Sequence, residues 1–156
     1  MIEYEIDYLG NHQDFAQEVA ELWVREWSGD FSEKKVLEQL EVNTKRYNTK
    51  KPPFVLVAYS GNELIGTSDL LLYELNNRPD LDVWVGGVFV KEKYRKNGIA
   101  KSLISAAVSK AKELNYNRIY LKTENAQGYY ERLGWIHLEK TKNNFGRLTD
   151  VFYRDI

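Results

Sequence analysis

The chain has 156 residues, 43% of them hydrophobic and 29% charged, and a formal net charge of −1. That length and composition suit one globular domain, residues 1–156, with a sizeable core. The near-neutral charge argues against nucleic acid as a partner, and the absence of cysteine excludes disulfides, thiolate metal sites and a cysteine nucleophile.

The opening MIEYEIDYLGN is acidic and alternating, unlike a secretory leader. No apolar run approaches the roughly 20 residues of a membrane span. A cytoplasmic protein without a membrane partner is therefore expected. His12 and His137 are the only histidines and lie far apart, so no metal centre is expected.

Residues 2–8 alternate as a half-buried strand does. A first helix is expected over 12–27, where Phe15, Val19, Leu22 and Trp23 share one face. Ser32 can cap a second helix with Val36, Leu37, Leu40 and Tyr47 on its apolar side. Strands follow at 54–60 and 63–75, joined at Gly61-Asn62 as a hairpin. After the loop NNRPD comes a strand at 82–90, with Gly86-Gly87 in its middle. That pair reads as a β-bulge, or as relief for a crowded aromatic core.

The stretch YRKNGIAKSLISAAVSKAKEL, residues 94–114, is the third helix and its approach. Ala100, Leu103, Ile104, Ala107, Val108, Ala111 and Leu114 form a core-facing stripe. RIYLKT, 118–123, is the next strand. Strand, helix and strand in so short a span make a βαβ unit, whose strands run parallel. AQGYYERLG forms a short helix ending at Gly134, and WIHLEKT and LTDVFYRDI form a final hairpin around NNFGR.

Two motifs carry a resemblance. Arg95-Lys96-Asn97-Gly98-Ile99-Ala100 lies between a strand and a helix, and Tyr129-Tyr130-Glu131-Arg132-Leu133-Gly134-Trp135 lies one strand later. Together they resemble the signatures of the GNAT superfamily of acetyl-CoA-dependent N-acetyltransferases, and the element order agrees from residue 2 to 154. The resemblance implies an α/β fold: a central, twisted, mixed sheet of about six to seven strands flanked by helices. It implies acetyl-CoA as co-substrate and a small-molecule or protein amine as acceptor. It leaves a homodimer open.

The resemblance also assigns residues. Amides from Lys96 to Lys101 would face the CoA pyrophosphate, with Gly98 allowing close approach, Asn97, Ile99 and Ala100 completing the loop, and Arg95, Lys96 and Lys101 adding charge. Val88, Phe89 and Val90 would lend their backbone to the pantetheine arm. Tyr130 would protonate the departing thiolate, with Tyr129 as its packing partner. Thr123 stands where many members have asparagine, and Asn125 is nearby but out of register. Trp84 stands where some members carry a glutamate base, and Ala100 replaces the commoner glycine. Asp82, two residues before Trp84, is the first choice for the base, with Asp69 and Glu74 as others. Without a cysteine, direct attack in a ternary complex is expected. Trp27, Asp30, Phe31 and the NNFGR turn would shape the acceptor side, and His137 is expected to be structural. Two other readings stay open: an inert CoA-binding sensor of the same fold, and a nucleotide-binding protein using RKNGIA as a phosphate loop.

Overall fold

The computed structural model describes residues 2–156. The alternating start does form a strand, β1 (Glu5–Tyr8), shorter than the expected 2–8. The first helix, α1 (Ala16–Trp27), begins later than residue 12, because two 3₁₀ turns, Leu9–Asn11 and Gln13–Phe15, intervene. Asp7 explains the delay. Its carboxylate accepts from the Tyr8 amide at 2.7 Å and binds Asn11 and His12, pinning that stretch to the strand end.

The second helix, α2 (Glu33–Thr44), is capped as expected: Ser32 Oγ accepts from the Lys35 amide at 3.2 Å. Its apolar side is narrower than the sequence suggests. Val36 and Leu40 pack on Ala20 and Val24 of α1. Leu37 is 66% exposed, and Tyr47 lies beyond the helix in a bridge to Phe54. The cause is that α2 packs chiefly on α1, so a thin stripe suffices.

The remaining elements are β2 (Phe54–Ser60), β3 (Glu63–Leu72), β4 (Val83–Val90), α3 (Ile99–Glu113), β5 (Arg118–Thr123), α4 (Gln127–Arg132), β6 (Ile136–Lys142) and β7 (Leu148–Asp155). They build one seven-stranded sheet in the order β1-β2-β3-β4-β5-β7-β6. All neighbours are antiparallel except β4 and β5, the pair that α3 connects. This is the mixed sheet flanked by helices that the sequence implied. Strand β3 ends sooner than residue 75, at a positive-φ Tyr73 that breaks the extended run.

Both faces of the sheet are covered. On one, Leu103, Ile104, Ala107 and Ala111 of α3 pack on Leu56, Ile65, Leu70, Val83 and Val85, and α4 adds Tyr129 and Tyr130 to that cluster. On the other, Val19 and Trp23 of α1 pack on Val55, Val57 and Leu64. The loop after β3 covers the rest of the second face. Its Leu75 and Leu81 bury against Trp84, Tyr120 and Val151. Asn144 at the β6–β7 turn ties the loop down, taking the Asn76 amide at 2.9 Å and donating to the Glu74 carbonyl at 3.0 Å. Among the described residues, no helix is long and apolar enough to cross a membrane.

Helix α4 has only six residues, too few to be stable alone. Asp150 of β7 anchors it. This buried carboxylate accepts from Gln127 at 2.6 Å and Lys140 at 3.2 Å, and takes His137 Nε2 at 2.8 Å. Since a carboxylate only accepts, that histidine nitrogen carries hydrogen, and His137 belongs to the clamp. Those bonds, the Gln127 one foremost, hold the Asp150 carboxyl at about 2 instead of 3.8. A lowered folded pKa contributes stability that is present above the unfolded value and lost as pH falls through the folded one. Wild-type stability should therefore drop between about pH 4 and about pH 2, and Asp150→Asn should lack that part of the acid dependence, as read by thermal melts across pH.

Candidate active site

Strands β4 and β5 share a single register pair, Trp84 with Tyr120. Beyond it they part. The stretch from Gly86 to Val90 keeps β3 on one side and, among the described residues, has no strand on the other. Residues Val88, Phe89 and Val90 therefore present a backbone edge to the opening. Phe89 turns toward α1, where its ring meets Trp27 at 6.5 Å, and Val88 turns to the α3 face.

The parting begins at a bulge. Thr67 pairs with Phe89 and Asp69 with Gly86, so two steps on β3 span three on β4. Gly87 takes φ +56 there, a conformation costly for other residues. Thr67 Oγ1 locks it, donating to the Gly87 carbonyl at 2.7 Å while accepting from Trp23 Nε1 at 2.9 Å. Of the two sequence readings of Gly86-Gly87, the bulge is the one observed. A Cβ on Gly87 would lie 2.6 Å from Asp69 Oδ2 and 2.9 Å from Trp23 Cζ2.

The chain then leaves β4 through a 3₁₀ turn, Glu92–Tyr94, and enters α3 at Gly98, φ +73. Lys96 also has positive φ, which folds the intervening loop tightly. Asn97 holds its shape, donating to the carbonyls of Tyr94 and Arg95. Arg95 Nε donates to the Val90 carbonyl at 2.9 Å, so this cation ties the loop to the end of β4. No side chain caps α3. The amides of Ile99, Ala100 and Lys101 precede the first intrahelical bond, which runs from the Ser102 amide to the Gly98 carbonyl. Ile99 is buried and anchors the helix start, while Lys96, Asn97, Gly98 and Lys101 are exposed.

A cleft of about 440 Å³ lies against this helix start. Val90, Tyr94, Arg95, Lys96, Gly98 and the first residues of α3 form one wall, and Tyr129 and Leu133 the other. Tyr129 is thus a wall of the cleft as well as the packing partner of Tyr130, their rings 5.3 Å apart and nearly perpendicular. Tyr130 is half-buried beside Phe152, and burial pushes its hydroxyl up to about 12. Thr123 Oγ1 accepts from the Ala126 amide at 3.0 Å and so turns β5 into α4. Asn125 is exposed on that turn.

Asp82 is not brought to the opening. It sits just before β4, on the far side of Trp84, where its Oδ1 takes the Val83 amide at 2.8 Å and its carbonyl the Tyr73 amide at 2.8 Å. Trp84 itself is fully buried against Tyr120, 5.5 Å between rings. Asp69 is the acid at the bulge. Glu74 lies on the loop over the same face, paired with Lys122 at 3.4 Å. Trp27 and Phe31 remain partly open on the α1 side, with the Arg25 guanidinium 3.9 Å above Phe31.

A family model described as the acetyltransferase (GNAT) family matches residues 16–135. Among solved structures, the fold is similar to an aminoglycoside 6'-N-acetyltransferase complexed with coenzyme A, at 14% identity and TM-score 0.74, covering 99% of this chain and 97% of that one. It is also similar to an acetyltransferase from Streptococcus agalactiae 2603, at 17% identity and TM-score 0.69 over the whole of both chains. A proposed streptothricin acetyltransferase from Bacillus anthracis str. Ames, in complex with acetyl coenzyme A, is 25% identical with TM-score 0.59, covering 73% of this chain and 68% of that one. No curated protein matches the sequence.

The two special glycines predict different costs. Gly98→Ala meets nothing within 4 Å and adds only left-handed strain, about 1–2 kcal/mol. Gly87→Ala adds a collision with Asp69 and Trp23 to the same strain, so it should lower the melting temperature more than Gly98→Ala does, by upwards of about 4 °C.

Proposed function

The chain belongs to the GNAT family of acetyltransferases, and from that premise we propose that it transfers an acetyl group from acetyl-CoA to a primary amine, by direct attack while both substrates are bound. The observation that carries this reading is the meeting of an uncapped helix start, a positive-φ loop and an unpaired strand edge along one cleft.

Those parts fit the co-substrate's chemistry. A pyrophosphate needs many donors and positive charge. The free amides at the start of α3 point the right way, the helix dipole favours an anion there, and Lys96 and Lys101 are exposed to add charge. Exposed Gly98 lets phosphate oxygens approach the backbone. Arg95 contributes mainly by fixing the loop, since its Nε is engaged at Val90. The amide-bearing pantetheine arm suits the strand edge at 88–90, apart from the Val90 carbonyl that Arg95 holds, as an added strand would.

Tyr130 is the proposed acid. Burial holds its hydroxyl at about 12, so it stays protonated at neutral pH and can donate to developing negative charge. The same apolar surroundings raise the affinity of a departing sulfur for a proton. Tyr130 therefore first hydrogen-bonds the sulfur and then releases its proton to it. The aromatic and acidic groups on the α1 side, Trp27, Phe31 and Glu74, suit a cationic amine, small or part of a protein.

Thermal unfolding tests the co-substrate. Acetyl-CoA and CoA at 100 times their dissociation constants should each stabilise by about 2.7 kcal/mol, several degrees for this length, and ATP should not. A shift with ATP would favour a nucleotide phosphate loop instead. Tyr130→Phe should keep the acetyl-CoA shift while thiol release with an amine falls about 10²–10⁴-fold. A protein that binds acetyl-CoA and releases no thiol with any amine would be a sensor of the same fold.

A further inference from the structure

We infer that Asp69 is the general base of this site, taking the proton from the attacking amine across the Gly86–Gly87 bulge. The inference rests on the acetyl-transfer reading above and adds the residue that reading leaves open. A primary amine is mostly protonated at neutral pH, with a pKa of about 10.4, and an ammonium has no lone pair for attack. Some group must accept its proton, and Trp84 cannot.

The carboxylate is placed for it. Asp69 is 2% exposed, and its buried Oδ1 has no hydrogen-bond partner among the described residues. Buried carboxylate oxygens are rarely left so, because desolvation without compensation is costly. The Gly86 amide is the least of the influences that favour its ionised form. The residues opposite are glycines: a Cβ on Gly86 would lie 3.1 Å from Oδ1, and one on Gly87 2.6 Å from Oδ2. The Gly86–Gly87 backbone, with the Trp23 ring at its edge, therefore lies between this acid and the point where β4 leaves β5. Asp82, by contrast, is spent on the start of β4 beyond Trp84.

The surroundings tune it. Arg46, which follows α2, holds Nη1 4.0 Å from Oδ2, at the limit of an ion pair. Glu74 from the covering loop opposes ionisation and Lys122 of β5 favours it. Thr67 and Trp23, the polar groups beside it, are bonded to each other and to Gly87, and leave it alone. Burial is the largest influence, and the carboxyl is pushed up to about 7. A base that titrates near the working pH accepts a proton and gives it up again readily.

The step balances. Asp69 takes one proton from the ammonium, and the freed lone pair forms the carbon–nitrogen bond at the acetyl carbonyl. The carbon–sulfur bond breaks, and the sulfur leaves with its electron pair. Tyr130 supplies that sulfur's proton, and the second proton of the nitrogen makes good the loss. Asp69 returns its proton to water, so the sum is acetylamide, CoA thiol and one proton.

The test uses Asp69→Asn and Arg46→Met in the full chain, with acetyl-CoA and a panel of a polyamine, an amino acid, an aminoglycoside and a lysine peptide. Asp69→Asn should lower kcat about 10²–10⁴-fold and abolish the acid limb near pH 7, with the acetyl-CoA thermal shift unchanged. Arg46→Met removes a charge that favours the carboxylate, so the limb should move to higher pH. The free protein gives a readout independent of turnover. A raised folded pKa means the folded state holds a proton the unfolded state has lost, so wild-type stability falls between about pH 4 and about pH 7. Asp69→Asn should lack that fall. If Asp69 only pairs with Arg46, Asp69→Asn will instead be the less stable protein at pH 8 and will keep the acid limb, which overturns the inference and leaves acetyl transfer standing. Wild-type protein that binds acetyl-CoA but acetylates no amine on the panel overturns both.

Discussion

The parting of β4 from β5 after one pair is the constraint on which the site depends. A parallel pair that stayed zipped would leave no free edge at 88–90. The bulge at Gly87 forces the parting, since an extra residue on β4 rotates its backbone out of register. The Thr67 hydroxyl, the Trp23 indole and the absence of a side chain at Gly87 hold that bulge together. Helix α3 then starts where the freed strand ends, and its amides face the same opening. One local irregularity thus sets the position of the strand edge, the helix start and the cleft between them.

Two buried aspartates show how differently the same side chain is used. Asp150 collects donors from Gln127, His137 and Lys140, and its carboxyl is held at about 2. It is ionised at all ordinary pH and fastens α4 to the sheet. Asp69 has one distant arginine and an orphaned oxygen, and its carboxyl rises to about 7. Both are nearly closed to water, but Asp69 lies deeper in the packed interior and has fewer hydrogen-bond donors. A satisfied carboxylate is structural ballast, whereas an unsatisfied one near neutrality is available for proton traffic. Tyr130 shows the same influence on a hydroxyl: burial pushes it up to about 12 and keeps it protonated.

Much of this was legible in the chain. The apolar stripe of α3, the Ser32 cap and the parallel βαβ unit came from periodicity and capping rules that act over a few residues. The bulge at Gly86-Gly87 was legible because two glycines inside a strand have few other uses. The exposure of Leu37 was not, because helical periodicity cannot tell which side of α2 finds a neighbour. The late start of α1 depended on Asp7 reaching its own downstream loop. Tyr129 as a cleft wall followed from how α4 docks, which no motif states.

Family, element order and the two motifs were readable before any folding was considered, because they are local patterns of residue type and spacing. Which acid lies against the bulge depended on how the chain packs. Strand parity alone could place Asp82 beside Trp84, but it could not say that the strands part on the other side of that tryptophan. Asp69 was among the acids the sequence offered, but its place against the bulge follows from the β3–β4 pairing, which residue spacing could not rank above Asp82. Its burial, its missing partner and its raised pKa are properties of the packed neighbourhood and exist only once α1, the end of α2 and the sheet have closed around it.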